Sequence, residues 1–212
     1  MSSLHPDKAL IFRIVHVENL PWLVRHGLQC RNTPHPNRDY VSIGSEELIA
    51  ARTERQVPIQ PGGGYGDYVP FYFTPYSIMM LNIKTGYGVP QRRNDEILIC
   101  VASLRDLQAQ GRRFVYTNQH GCSAGLEFSN NLSDLERMID WNLLRTRDFK
   151  RDPEDPGKQL RYQAEAMIHG DILLDSLRGI VCHSEAVLTK VRAIVSPHNP
   201  NLSLKALPGW YF

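Results

Sequence analysis

The sequence predicts a mixed α+β fold, on the strength of three observations. Short segments in which apolar and β-branched residues alternate are interspersed with segments that repeat apolar residues every three or four positions. The spacing between these segments is too irregular for repeated βαβ units. Hydrophobic residues make up 42% of the 212 positions, which is enough to bury a core, so we expect one domain over residues 1–212.

The first predicted elements are a strand and a helix. Leu10–His16 alternates around β-branched residues, which is typical of a strand. Asn19 as the cap, Pro21 in the first turn and Gly27 at the end predict a helix between them. Residues 28–44 are rich in Asn, Pro and Arg and are predicted to form a loop.

The middle of the chain is predicted to contain one helix and three strands. The composition of residues 46–55 favours a helix. Residues 68–73 are largely aromatic, residues 96–103 form an apolar run, and Phe114–Thr117 is rich in β-branched and aromatic residues. Each of these three segments is typical of a strand.

The last third of the chain mixes both periods. Residues 132–144 place apolar side chains at helical spacing, and residues 159–169 are expected to be a helix start or an irregular turn. Residues 177–183 predict a strand, and Glu185–Val195 predicts an amphipathic helix. The aromatic residues 210–212 are expected to dock as a last strand, which gives six or seven short strands in total.

Charge and hydropathy exclude several classes of protein. The 24 Lys and Arg residues against 22 Asp and Glu give a net charge of +2, which excludes a polycationic tail. No apolar run reaches the length of about 18 residues that spans a membrane, and the polar N-terminus lacks the apolar stretch of a signal peptide. We therefore expect a cytoplasmic protein.

The four cysteines, Cys30, Cys100, Cys122 and Cys182, are not paired as C-x-x-C and have no histidines at metal-binding spacing. The sequence therefore predicts neither a disulfide framework nor a metal site. Cys100 and Cys182 lie in apolar strand segments and are expected to be buried as small hydrophobic residues.

Arginine dominates the basic residues, and many of these cluster late in the chain. Only six of the 24 are lysine, and seven basic residues fall within residues 137–161. Such a segment could bind nucleic acid, because arginine binds phosphates and stacks on bases. It could equally be a solvated surface, because acidic residues are interspersed with the arginines. The pattern leaves both interpretations open.

Four further residues could be functional or structural. His16 ends the first strand and Arg13 lies within it, while Arg52 lies on a predicted exposed helix whose charged residues can pair at i,i+3 and i,i+4 spacing. Taken one at a time, these three favour a structural role. Glu165 is flanked by small and apolar residues, which suits either a catalytic group or a surface carboxylate.

Six groups of short segments follow one another along nearly the whole chain. They are residues 11–16 with Asn19-Leu20-Pro21; Ile43-Gly44 with Ala51-Arg52 and Val57-Pro58; Gly62-Gly63 with residues 67–75; Ile139-Asp140-Trp141; Gln163-Ala164-Glu165; and Trp210-Tyr211-Phe212. Together they resemble the DarT family of DNA ADP-ribosyltransferase toxins. The most specific pair is D-Y-V-P-F-Y-F-T-P at residues 67–75 and Q-A-E at residues 163–165.

The resemblance implies an ADP-ribosyltransferase fold, a split and twisted β core with flanking helices and a cleft for NAD. It also implies transfer of ADP-ribose from the co-substrate NAD to a base of single-stranded DNA, in a sequence-dependent way. Thymine is the favoured base and guanine the alternative. The implied partner is a macrodomain antitoxin of the DarG type, and we expect a monomer. The competing hypotheses are a protein or RNA acceptor, and a nucleic-acid-binding module without catalysis.

The resemblance also implies roles for residues at the NAD site. Glu165 corresponds to the catalytic glutamate, which can hold the ribose 2′-hydroxyl and stabilise an oxocarbenium-like centre. Arg52 corresponds to the catalytic arginine and is also expected to contact NAD, while Tyr72 corresponds to the aromatic residue of the nicotinamide pocket. The first strand is expected to contribute Phe12, Arg13, Ile14 and His16 to NAD binding.

For DNA, the resemblance favours the Arg-rich segment before Glu165 as the substrate-facing loop. Arg145, Arg147 and Arg151 are expected to hold the DNA backbone, and Tyr116 is a candidate for stacking on a base. The chain departs from the family pattern where many members have His at the position of Arg13. Two further departures are Tyr76, where many members have Arg, and Ile78, which replaces a proline.

Overall fold

One eight-stranded sheet organises the protein in the computed structural model, which describes residues 4–121, 123, 125–148 and 150–212. Its strands are β1 (Leu10–His16), β2 (Tyr68–Tyr72), β3 (Ile97–Ser103), β4 (Phe114–Thr117), β5 (Phe128–Ser129), β6 (Glu165–His169), β7 (Gly179–Cys182) and β8 (Ser203–Ala206). Their order across the sheet is β5-β4-β6-β2-β1-β3-β7-β8. Neighbouring strands are antiparallel except β7 and β8, which are parallel.

Helices connect and flank the strands. In the described residues they are α1 (Leu20–His26), α2 (Glu46–Thr53), α3 (Ile78–Thr85), α4 (Leu104–Ala109), α5 (Leu135–Met138), α6 (Trp141–Thr146), α7 (Lys158–Arg161) and α8 (Glu185–Val195). None of the helices in this part of the chain is both long and apolar enough to cross a bilayer. The Ser184 side chain caps α8, whose four buried residues fix it to the core.

The sheet is buried most deeply around β3, whose seven residues are all buried against the main hydrophobic cluster. A smaller cluster, formed by Val57, Tyr65, Tyr68, Val115 and Met167, lies against β2, β4 and β6. Directly paired residues of neighbouring strands present their side chains to the same face of a sheet. Because Tyr72 of β2 is paired with Glu165 of β6, this smaller cluster extends toward the carboxylate of Glu165.

The sheet is split between β1 and β2. Seven residues of β1 are paired with β3, but only Phe12 is paired with β2, opposite Tyr72. Past this pair the two strands separate, and Nη1 of Arg13 donates to the carbonyl oxygen of Pro70 at 2.8 Å. The predicted split β core is therefore confirmed, and the separation of β1 from β2 opens a cleft in the middle of the sheet.

The strands Leu10–His16 and Phe114–Thr117 and the helix Glu185–Val195 form as predicted. Residues 159–169 were expected to be a helix start or an irregular turn; they begin within α7, which ends at Arg161, but the chain then forms β6, a strand that neither alternative predicted. Pairing on both sides, with β2 and with β4, overrides the helix-forming composition of this segment.

The single helix predicted over residues 132–144 is wrong. Ile139 has extended backbone angles of φ −100° and ψ 125°, which end α5. The Asp140 side chain then accepts a hydrogen bond from the backbone N–H of Leu143 and caps α6. Asp140, an N-cap inside the apolar repeat, thus divides the predicted helix into α5 and α6. The chain changes direction there, at the start of the Arg-rich segment.

The C-terminal aromatic residues are docked, as expected, but they do not form a strand. Pro208–Trp210 is a 3₁₀ turn, and the last strand is β8. The Trp210 ring packs edge-on against Phe12 with centroids 5.3 Å apart. The Tyr211 hydroxyl lies 3.1 Å from the carbonyl oxygen of Ile97 and 2.9 Å from that of Val181. The tail therefore contacts β1, β3 and β7 without extending the sheet.

Cys100 and Cys182 are buried in β3 and β7, which confirms the prediction for both. Cys30 is also buried, and all three are free thiols. Burial raises the pKa of Cys30 to about 11 and the pKa of Cys100 to about 12, so both stay protonated at neutral pH. Cys122 lies outside the described residues.

Candidate active site

Arg52 and Glu165, which are 113 positions apart in sequence, form a bidentate ion pair. Nη1 of Arg52 donates to Oε1 of Glu165 at 3.2 Å, and Nη2 donates to Oε2 at 2.5 Å. Glu165 is 2% exposed, whereas the Arg52 side chain is 22% exposed. The planar guanidinium fork matches the carboxylate, so each group orients the other.

The two residues of this pair come from elements of different kinds. Glu165 opens β6, and its backbone N–H donates to the hydroxyl of Thr117 on β4 at 3.3 Å. Arg52 lies in the last turn of α2, a helix with no buried residue that is capped by the Ser45 side chain. The carboxylate is therefore fixed by the sheet, and the arginine reaches it from a helix on the surface.

Tyr65 lies beside the pair and was not singled out from the sequence. The guanidinium carbons of Arg52 and Arg55 lie 5.4 Å and 5.6 Å from the centroid of its ring, within the range of cation–π attraction. Its hydroxyl donates to the carbonyl oxygen of Gly121 at 3.2 Å. The Gly-rich stretch before Tyr65 could have indicated a close-packed turn, but nothing local indicated the partner arginines.

Gly121 belongs to the segment after β4 and passes very close to the ion pair. A β-carbon at this position would lie 3.2 Å from Nη2 of Arg52 and 3.3 Å from Oε2 of Glu165. Both distances are tighter than ordinary van der Waals contacts. The backbone therefore packs directly over the pair, and it can do so because glycine has no side chain.

His120 precedes Gly121 and adds an ionisable group near the pair. Burial lowers the pKa of His120, the charge of Glu165 opposes this effect, and the charges of Arg52 and Arg55 reinforce it. A neutral imidazole at physiological pH can either accept or donate a proton. Sequence reasoning missed His120, because its sequence neighbours carry no signal and its position depends on the long-range pairing of β4 with β6.

Tyr72 lies on β2 directly opposite Glu165. Burial raises the pKa of Tyr72 to about 12, the negative charge of Glu165 raises it further, and Arg52 and Arg13 oppose both effects. The Tyr72 hydroxyl therefore stays protonated and can donate a hydrogen bond. The structure thus brings Arg13, Arg52, Tyr72 and Glu165 together at the split in the sheet.

The other β1 residues expected at the NAD site differ in their contacts. Phe12 is buried between Tyr72 and Trp210, and Ile14 is 8% exposed. His16 is buried at the far end of the strand, where its Nδ1 accepts from the backbone N–H of Glu18 at 3.3 Å. Burial is also the main reason that the pKa of His16 is lowered. This cap fixes the orientation of the His16 ring, and the NAD contact expected from the sequence stays a prediction.

Tyr116 is the clearest correction among the expected DNA-binding residues. Its side chain is fully buried in β4, where its ring packs against Phe73 and Phe114 with centroids 6.0 Å and 6.5 Å away. Its hydroxyl donates to the carbonyl oxygen of Asn131 at 2.7 Å. A ring enclosed in this way has no free face for a base, because the alternation of β4 directs it into the core.

The three arginines expected to hold DNA are all exposed but have different contacts. Arg145 donates from Nε to the carbonyl oxygen of Leu4 at 3.1 Å and from Nη1 to Asn142 at 2.8 Å. Arg147 follows α6, and its guanidinium lies over the ring of Tyr76. Arg151 has neither a hydrogen bond nor an ion pair among the described residues, so its charge is available to a partner.

A cavity of about 620 Å³ is lined in part by the Arg-rich segment. Its lining includes Arg137, Arg145 and Arg161 from the Arg-rich segment, together with Asn118. Asn118 follows Thr117, which binds the backbone N–H of Glu165, but the cavity includes neither Glu165 nor Arg52. In the part of the chain that the structure describes, no group of three or more His, Cys, Asp or Glu residues could hold a metal ion.

Comparisons with known proteins agree on one family. Residues 12–212 match the family described as "DarT: ssDNA thymidine ADP-ribosyltransferase, DarT". A relative from Escherichia coli O127:H6 (strain E2348/69), named a DNA ADP-ribosyl transferase, is 43% identical over 212 residues. That alignment covers 100% of this chain and 97% of the relative.

Two solved structures of DarT from Thermus sp. 2.9 are similar over nearly the whole chain. The complex with ADP-ribosylated single-stranded DNA has a TM-score of 0.89 at 27% identity and covers 100% of both chains. The complex with NAD⁺ has a TM-score of 0.84 at 28% identity and covers 98% of this chain and 100% of that one. The shared fold therefore includes the strands that separate at the cleft.

Proposed function

Because the chain belongs to the DarT family of single-stranded DNA thymidine ADP-ribosyltransferases, we propose that it transfers ADP-ribose from NAD to a thymine base of single-stranded DNA and releases nicotinamide. The observation that carries this proposal is the bidentate pair of Arg52 and Glu165 beside the cleft between β1 and β2. We treat residues 1–212 as one catalytic domain.

Glu165 is the proposed catalytic carboxylate. The glycosidic bond of NAD joins the ribose to a cationic leaving group, and its cleavage leaves an oxocarbenium-like centre. A buried carboxylate can accept a hydrogen bond from the ribose 2′-hydroxyl and stabilise the developing positive charge. Since Arg52 engages both oxygens of Glu165, the substrate must share or displace one of these hydrogen bonds.

The acceptor base must lose the proton of its attacking nitrogen. Glu165 is the proposed acceptor for this proton, and His120 is a neighbouring neutral group that can take part in the transfer. Arg52 keeps its charge at every physiological pH, so it can stabilise a base that becomes anionic as well as the phosphates of NAD. Its partial exposure places part of the guanidinium within reach of a ligand while it remains paired with Glu165.

We propose that the cleft between β1 and β2 binds NAD. Arg13 and Tyr72 offer hydrogen-bond donors there, since the Tyr72 hydroxyl stays protonated and Arg13 already binds a carbonyl of β2. Phe12 and Ile14 supply apolar surface from β1. Arginine at position 13 keeps a donor where many family members have histidine, but it cannot act as a neutral base.

DNA is proposed to approach over the exposed arginines that precede β6. Arg151 carries an unengaged charge for a phosphate, whereas Arg145 and Arg147 are already oriented by contacts within the protein. The macrodomain antitoxin and the role as a toxin stay predictions from the family resemblance, and the monomeric state and the cytoplasmic location stay predictions from the sequence. Action on DNA is consistent with that location.

The decisive experiment incubates the purified protein with NAD and a panel of single-stranded oligonucleotides and measures their intact masses. The expected result is one added ADP-ribose on oligonucleotides that contain thymidine in a permitted context, lost when that thymidine is replaced. Glu165→Gln, which keeps the shape of the side chain, is expected to retain its fold and to add nothing. Label on protein or RNA, with all DNA unmodified, would overturn the proposal.

A further inference from the structure

A stacked pair of side chains lies outside the residues discussed as catalytic. The guanidinium carbon of Arg147 is 3.3 Å from the centroid of the Tyr76 ring, so the planar group lies flat on that ring. Nη2 of Arg147 also donates to the carbonyl oxygen of Gly209. The Tyr76 ring covers one face of the guanidinium; Tyr76 is half-buried, and the Arg147 side chain is exposed to solvent.

The backbone of Arg147 has an unusual conformation that places this side chain. Its φ of 57° and ψ of 23° lie in the left-handed region, which residues other than glycine rarely adopt. Such conformations persist where the surrounding structure holds them, and they cluster at ligand-binding sites. Here the contacts with Tyr76 and Gly209 hold the residue, and the guanidinium plane is fixed before any ligand binds.

The stack lies at the same end of the sheet as the ion pair. Tyr76 is four residues beyond Tyr72, so the two α-carbons are at most about 14 Å apart. Tyr162 lies three residues before Glu165. Both Arg147 and Tyr76 are close enough to Tyr162 to influence its pKa, which Arg147 lowers and Tyr76 raises. Gly209 precedes Trp210, whose ring packs on the β1 residue opposite Tyr72.

We propose that the Tyr76–Arg147 stack is a platform for a nucleobase of single-stranded DNA that neighbours the acceptor thymidine. The base would stack on the exposed face of the Arg147 guanidinium, while Tyr76 supports the opposite face. The inference rests on the proposed function and identifies a residue pair that positions its DNA substrate. Because every base has a π face, the platform selects a position along the strand more than a base identity.

The geometry favours a base over a phosphate as the occupant. Phosphates bind to the N–H edge of a guanidinium, and part of that edge in Arg147 is engaged by Gly209. The face of the guanidinium turned away from Tyr76 is instead flat and positively charged. Stacking on such planes is a common way in which proteins hold unpaired bases. A phosphate contact by Arg147 is the competing outcome of the test.

The test uses oligonucleotides with one acceptor thymidine and replaces each flanking nucleotide in turn by a base-free sugar. For the wild-type protein, kcat/KM is expected to fall about tenfold when the base at one particular position is missing, the size of one stacked base. Arg147→Lys keeps the positive charge but lacks the planar guanidinium. This variant is expected to modify the intact oligonucleotide as slowly as the wild-type protein modifies the oligonucleotide that lacks the stacked base. In this variant the missing base should have no further effect.

Matched variants separate the platform from other causes. Tyr76→Leu should show the same loss as Arg147→Lys, while Tyr87→Leu, at an exposed tyrosine outside the platform, should change nothing. If Arg147→Lys keeps the wild-type rate and the wild-type response to the missing base, a phosphate contact is correct and the platform is wrong. If the wild-type protein modifies no DNA at all, the proposed function itself fails.

Discussion

The two residues of the candidate ion pair are held in opposite ways. Glu165 lies in a strand paired on both sides, is almost fully buried, and donates from its backbone N–H to the Thr117 hydroxyl. Arg52 lies on α2, which buries none of its own residues. The carboxylate of the pair is therefore fixed by the sheet, whereas the guanidinium is carried by a helix that has no buried residue.

The largest expected effect is an asymmetry between the two single variants. Arg52→Ala should lower kcat about 10²- to 10³-fold and should also destabilise the fold by about 3 kcal/mol, because it leaves the buried Glu165 unpaired. Glu165→Gln should abolish transfer with little loss of stability, since Arg52 can turn to water. Urea denaturation and single-turnover kinetics measure the two effects.

A double variant checks the cause of that asymmetry. Combining Arg52→Ala with Glu165→Gln removes the buried charge along with its partner, so stability should return toward that of Glu165→Gln alone. If Arg52→Ala and Glu165→Gln prove equally stable, Glu165 is not held as a buried charge by Arg52, and the contrast between strand and helix fails.

The next effect concerns the backbone that packs over the pair. Gly121→Ala should lower kcat about tenfold, because the added β-carbon displaces Arg52 and Glu165 by a few tenths of an ångström. Gly209→Ala is the control, since its β-carbon would meet open space. Melting temperatures should stay close to wild type for both variants. An unchanged kcat for Gly121→Ala would mean that the site absorbs the displacement.

A smaller effect tests whether α2 behaves as a weakly attached element. Ala50 is exposed in α2, and Ala50→Gly costs about 1 kcal/mol of helix stability. Turnover should fall a few-fold, and amide exchange should accelerate in α2 without a change in the global melting temperature. Ala193→Gly in α8, a helix anchored by buried residues, should do the reverse: lower global stability and leave turnover unchanged.

The smallest expected effect is a pH dependence of stability. The pKa values of His16 and His120 are lowered in the folded protein, mainly by burial. The unfolded chain therefore takes up protons as pH falls below about 6.5, while the folded protein resists them, so the free energy of unfolding should decline. His16→Asn should reduce this decline, and His35→Asn, at an exposed site, should not. An equal decline in both variants would contradict a role for His16.

Much of the sheet could be predicted because its strands carry local signals. β1 and β4 alternate clearly, and the apolar run of β3 reflects a strand buried along its whole length. β6 was not predicted as a strand because the alanines in this segment favour a helix, and only its pairing with β2 and β4 makes it a strand. Local composition contains no information about such long-range partners.

The catalytic roles of Arg52 and Glu165 are predictions from the family resemblance, since the residues alone left both open to structural roles. His120, Gly121 and Tyr65 were missed because each acquires its role from a neighbour far away in sequence. The same reason explains Tyr116, whose aromatic ring suggested base stacking until the alternation of β4 placed it in the core. The sequence shows the chemistry of each side chain, but the face of the sheet that the side chain occupies depends on the register of the strand.

The separation of β1 from β2 has a consequence for how the cleft tolerates change. Beyond Phe12, β1 keeps its strand partner on the β3 side and has none on the β2 side. Peptide groups on that side are therefore open to whatever occupies the cleft, and buried peptide groups require partners. Peptide groups of β1 bind a ligand through the position of the strand and not through its side chains. Side chains along β1 can therefore be exchanged without loss of this binding.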